Sequence, residues 1–120
     1  MSGRTSTSRL PASRIADMTR FLVTYHGGGM PDSDEARQQA MEAFGRWVGQ
    51  TGKALVDPGA PLGPSKTVTN GSVKDGPASG PLGGFSILEA ADLDAAISLV
   101  VDHPFVGRGG ALQVSPAVAP

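Results

Sequence analysis

Two histidines hold most of the acid–base potential of this sequence. His26 follows Phe21-Leu22-Val23-Thr24-Tyr25 and precedes Gly27-Gly28-Gly29. Glycines let backbone amides approach a ligand, and an imidazole exchanges protons near neutral pH. That setting suits a proton-transfer group in a pocket; it also suits a turn histidine bonded to backbone. His103 stands before Pro104 at the end of an apolar helical run. There it is a second candidate base, or a partner for the last helix carbonyls and the helix dipole. Asp75 lies in Asp75-Gly76-Pro77. Its carboxylate can orient a histidine and fix its tautomer, or cap its own turn. Asp57, before Pro58-Gly59, invites the same two readings, with the turn favoured. Glu89 shares a strand side with Phe85 and Ile87. A carboxylate on an apolar face is desolvated, as a general acid requires, unless the strand end reaches solvent. Tyr25, Gly28, Trp47 and Glu89 complete the candidate binding residues, although Tyr25 and Trp47 read first as core or dimer contacts.

Other chemistry drops out. The chain has no cysteine, hence no thiolate nucleophile, disulfide or cysteine metal site. Gly27-Gly28-Gly29 is followed by neither Gly-Lys-Ser/Thr nor a parallel βαβ unit, so no nucleotide loop is read there. Gly-x-Ser-x-Gly is missing, which argues against a hydrolase elbow. Histidines 77 positions apart form no metal motif by spacing, and no cofactor is expected. Net charge is −1, so nucleic acid is not an expected partner. No run approaches the roughly 18 apolar residues of a membrane span, and no apolar signal segment opens the chain. A cytoplasmic protein is the default expectation.

The elements that must position these residues follow from pattern. With 120 residues, one domain is expected. Leu, Ile, Val and Phe make up about 22% of the chain, enough for a modest core. Residues 1–18 are Ser/Thr/Arg-rich and read as a flexible leader, with 19–117 as the domain. Arg4, Arg9, Arg14 and Arg20 are too thinly spread to define a nucleic-acid arm.

Phe21–Tyr25 is a first strand. Asp32 or Ser33 caps a helix in which Ala40, Met41, Phe44, Trp47 and Val48 share a face, ending at Gly52. Ala54–Asp57 is a short strand broken by Pro58-Gly59. Lys66–Val73 contains Asn70-Gly71, a hairpin signal, and residues 74–84 form a loop. Phe85–Ala90 is the clearest strand. Asp92 caps a second helix with Leu93, Ala96, Ile97, Val100 and Val101 on one stripe, which His103-Pro104 stops. Gly110–Ser115 is the last strand. This order predicts an α+β sandwich, an antiparallel sheet with two helices on one face. The helices cover one side only, leaving an apolar face exposed. Self-association of two such faces would bury them and enclose a cavity. A homodimer with a small-molecule ligand is therefore expected.

The ordered series resembles the YCII-related family, in particular its DGPF-type branch. It comprises Phe21–Tyr25 with His26-Gly27-Gly28-Gly29, Met30-Pro31, the Trp47 helix, and Gly52-Lys-Ala-Leu-Val-Asp57-Pro-Gly. It continues through Asp75-Gly76-Pro77, Gly83-Gly84-Phe85-Ser-Ile-Leu-Glu-Ala, Asp92-Leu-Asp-Ala-Ala and His103-Pro104. The resemblance covers residues 20–116. It implies a ferredoxin-like fold that dimerises into an α/β barrel, and a His/Asp pair in the cavity, here drawn from His26, His103 and Asp75. Related barrels include small isomerases, dehalogenating lyases and monooxygenases, and the resemblance implies for this chain a cofactor-independent lyase or isomerase as one reading. Some relatives are associated with alternative sigma factors, which implies a non-catalytic binding or regulatory module in stress signalling as the other reading. This chain departs from the pattern: Ala78 replaces the phenylalanine of DGPF, and the usual Glu-Val-Arg-Pro ending reads Gln113-Val114-Ser115-Pro116. Chemistry resting on that Glu or Arg does not carry over.

Overall fold

The structure is a computed structural model that describes residues 18–28 and 31–118. The expected leader lies outside these residues except for Met18. The elements run β1 (Thr19–Gly27), α1 (Asp34–Thr51), a 3-10 turn (Gly52–Ala54), β2 (Leu55–Pro61), β3 (Lys66–Thr69), β4 (Ser72–Asp75), β5 (Gly84–Ala90), α2 (Leu93–Val100), α3 (Pro104–Gly107) and β6 (Gly110–Pro116).

β1, β2, β5 and β6 form an antiparallel sheet in the order β2-β5-β1-β6. This is the ferredoxin-like arrangement, with β3 and β4 added as a separate hairpin. The hairpin turns at Asn70-Gly71, both with positive φ (44° and 82°), as the sequence pair predicts.

Alternation sorts the sheet into two faces. Phe21, Val23 and Tyr25 of β1 point to the helices, opposite Leu88, Ser86 and Gly84 of β5. Phe21, Val23 and Leu88 are fully buried there with Ala90, Trp47, Ala96 and Val100. The other face carries Leu22, Thr24 and His26, with Ile87 and Phe85 opposite the first two. Leu22 is 43% exposed.

Ser33 caps α1 by accepting the Ala36 N–H at 3.0 Å, and Asp92 caps α2 by accepting that of Ala95 at 2.8 Å. The expected stripes are only partly the buried ones. On α1, Trp47 is buried and Phe44 and Val48 pack beside it, but Met41 is 74% exposed. On α2, Ala96 and Val100 are buried with Ala95 and Leu99 beside them, while Leu93, Ile97 and Val101 face outward. A helix this short meets the sheet along one narrow line. Positions 93, 97 and 101 lie together off that line.

Two further expectations need correction. β2 does not break at Pro58-Gly59 but continues to Pro61 through register shifts. Pro58 lies in the irregular stretch between Asp57 and Ala60 of an edge strand, the kind of position where a sheet accepts proline. Gly59 fits this bulge closely: its φ is +78°, and a Cβ would lie 1.7 Å from the Phe85 carbonyl oxygen. Nor does His103-Pro104 simply end a helix. Pro104 starts α3, with His103 as its N-cap, a position proline favours because the first-turn N–H has no helical partner.

Candidate functional site

His103 is held at the junction of α2 and α3, where it is 2% exposed. Its Nδ1 accepts the Phe105 N–H at 3.0 Å, so the ring proton sits on Nε2. Nε2–H then donates to the Tyr25 hydroxyl at 3.0 Å. At the far end, Ser86 Oγ–H donates to the Pro58 carbonyl at 2.8 Å. Its remaining role is to accept from Tyr25 O–H, 2.8 Å away. Every donor therefore runs one way, from the Phe105 amide through His103, Tyr25 and Ser86 to the backbone of the β2 bulge. The imidazole of His103 and the hydroxyls of Tyr25 and Ser86 thus all have partners.

Aromatic rings enclose the imidazole: Trp47 at 4.3 Å between centroids, Tyr25 edge-on at 5.1 Å and Phe44 at 5.7 Å. Trp47 donates Nε1–H to the Leu99 carbonyl at 2.9 Å, which ties α1 to α2. Burial, and then the nearby Arg108 charge, push the His103 pKa down to about 4. Burial pushes the Tyr25 phenol up from its usual value, against the opposing Ser86 bond. Both groups are neutral near pH 7.

His26 occupies the other face of β1. Its Nδ1 lies 2.9 Å from the Pro81 carbonyl, which can only accept, so the proton is on Nδ1. Nε2 lies 2.8 Å from Thr24 Oγ1. The half-buried ring is thus oriented by a backbone carbonyl of the loop before β5, with its second nitrogen accepting the Thr24 hydroxyl on the same face. The structure does not bring His26 and His103 together. Asp75 bonds neither: its carboxylate is exposed at the end of β4, 3.3 Å from Lys66 Nζ. The ring nitrogens of both histidines have other partners.

Glu89 does share a side with Phe85 and Ile87, and it meets Arg20 at 3.8 Å at the edge of that face. Asp57 makes the turn bond expected of it, accepting the Gly59 N–H at 2.8 Å. Gly28, with φ +76°, passes so close to Phe105 that a Cβ would lie 3.0 Å from its Cζ. It also borders a groove of about 380 Å³ between α1 and α3. Among the described residues, no three His, Asp or Glu side chains gather as a metal site. No helix described is long and apolar enough to cross a membrane.

Sequence reasoning missed Ser86, Phe105 and Arg108. Ser86 carries a legible signal: it is the one polar residue in the inward row Ser86, Leu88, Ala90, and a buried polar group needs a partner. Arg108 carries none, because its role depends on where α3 ends. No match is found among curated proteins. The family model of the YCII-related domain matches residues 20–116, from the second residue of β1 to the last of β6, and the chain belongs to that family.

Proposed function

We propose that this YCII-related domain is a small-molecule-binding homodimer whose ligand lies on the open sheet face, with His26 as its proton-transfer group. One observation carries this reading: His26 is half-buried on the uncovered face, with Nδ1–H fixed on the Pro81 carbonyl. A donor bond at one ring nitrogen fixes the tautomer and makes the other nitrogen the basic one. Nε2 is then the acceptor of the Thr24 Oγ1–H at 2.8 Å, a bond that an incoming substrate proton would displace, beside the apolar surface of Phe85, Leu22 and Ile87. A second copy on that surface would exclude water and close the cavity. The chemistry this supports is proton abstraction and return on a compact carbonyl or aromatic compound, as in a lyase or isomerase. In this reading the Pro81 carbonyl takes the orienting part that the sequence suggests for Asp75.

A purely binding role for the same face is the second reading. It is favoured by the lack of any carboxylate at either histidine among the described residues. A thermal-shift screen of small carbonyl and aromatic compounds tests both. Hits should stabilise the wild type and lose their effect in Ile87→Lys. Turnover that His26→Gln abolishes, with binding kept, supports catalysis; binding without turnover supports the module. Hits unaffected by Ile87→Lys would remove the open face from the function.

A further inference from the structure

We propose that the groove between α1 and α3 is a second binding site, for a small organic anion with a short apolar body, anchored on Arg108. The site is separate from the open sheet face and does not rest on the function proposed there. Its volume, about 380 Å³, falls in the range of small-molecule pockets. One wall is Ala36, Ala40 and Ala43. These residues recur at helical spacing, so their small side chains leave a continuous shallow trough along α1. Pro104 faces them, and Gln39 adds an amide able to donate and accept.

Arg108 is the charged residue lining the groove. Its guanidinium stands 5.5 Å over the Phe105 ring, a contact that limits its rotamers without using its N–H donors. Among the described residues, the ion pairs are Arg20 with Glu89, Arg37 with Asp34 and Lys66 with Asp75. Arg108 is in none of them. The start of α1 does not compete for the anion, since Ser33 caps it and Asp34 and Glu35 occupy its first turn. A cation with planar donors beside an apolar trough is complementary to a carboxylate on a small hydrocarbon body. Burial, and after it this same charge, hold down protonation of His103. A bound carboxylate would offset the charge, so His103 reports on occupancy.

Benzoate at pH 7 is the probe, with amide and side-chain NMR shifts as the readout. Saturable shifts should centre on Gly28, Gln39 and Arg108. Arg108→Gln should weaken binding about tenfold or more, and Ala40→Leu, which fills the trough without touching the charge, should abolish it. Arg37→Gln, outside the groove, should change little. The His103 protonation midpoint should rise from about 4 with benzoate bound. Several outcomes would overturn the proposal: non-saturating shifts, binding indifferent to Arg108→Gln or Ala40→Leu, or benzamide or inorganic phosphate binding equally well. Shifts centred on Thr24, Ile87 and Gln113 would make benzoate a ligand of the open face and also overturn it.

Discussion

His103 gives its Nε2 proton to the hydroxyl of Tyr25 across 3.0 Å. The two residues are joined edge to face with ring centroids 5.1 Å apart. The bond links the N-cap of α3 to the centre of the sheet, and its direction is set at both ends by groups with a fixed role: an amide that must donate and a carbonyl that must accept. Protonation of His103 would set Nδ1–H against the Phe105 N–H. The cap therefore works only with a neutral ring.

A pH dependence follows. His103 has a folded-state pKa of about 4 against an ordinary 6.5. Between these values the unfolded chain binds the extra proton, so stability rises with pH across that window. The contribution is complete above about 6.5 and is lost as pH falls toward 4. Its size is on the order of 3 kcal/mol. Urea melts of wild type and His103→Asn from pH 4 to 7.5 measure it. The asparagine can still cap α3, so the variant should lose the slope assigned to His103.

The relay should act as a unit. Tyr25→Phe leaves the His103 Nε2–H and the Ser86 hydroxyl short of a partner, and should cost about 1–3 kcal/mol. Ser86→Ala frees the Pro58 carbonyl and should cost about 1 kcal/mol or more. A double-mutant cycle should show coupling of at least about 0.5 kcal/mol, since both residues share one network. Additive losses would mean that the bonds are independent.

The bulge in β2 depends on Gly59. Gly59→Ala would place Cβ 1.7 Å from the backbone oxygen of Phe85 at positive φ. Relief requires moving β2 from β5, so a loss of roughly 3 kcal/mol or more is expected by denaturant melt. Gly52→Ala, with positive φ but no atom within 4 Å of its Cβ, carries only the backbone strain and should lose about 1–2 kcal/mol.

The division of α2 into buried and outward residues is directly testable. Val100→Ala should cost about 1–3 kcal/mol because it opens a cavity in the core, whereas Ile97→Ala on the outward side should change stability by under about 1 kcal/mol. Equal losses would place both positions in the core.

Much of this architecture is legible in residue order. Phe21–Tyr25 and Phe85–Ala90 read as short strand-forming runs, Ser33 and Asp92 cap as their types suggest, and Asn70-Gly71 turns the hairpin. The limits are equally physical. Periodicity finds a helix but not which of its edges meets the sheet, so Met41 and Ile97 read as core and face outward. Pro58 reads as a strand breaker because an edge position cannot be known before the strand order is. At the site, His26 and Tyr25 are adjacent in sequence, and strand alternation alone puts them on opposite faces. The partners of His26 are different: a carbonyl at Pro81, 55 positions away, has no side-chain signature.

The open face is the centre of the proposed function, and its closure by a second copy is best tested by light scattering at micromolar concentration. Wild type should run at twice the 12.2 kDa chain mass, and Leu22→Asp, a charge placed amid that face, should run as a folded monomer. A wild type that stays monomeric, or a Leu22→Asp protein that stays dimeric, would contradict closure of the ligand cavity by that face.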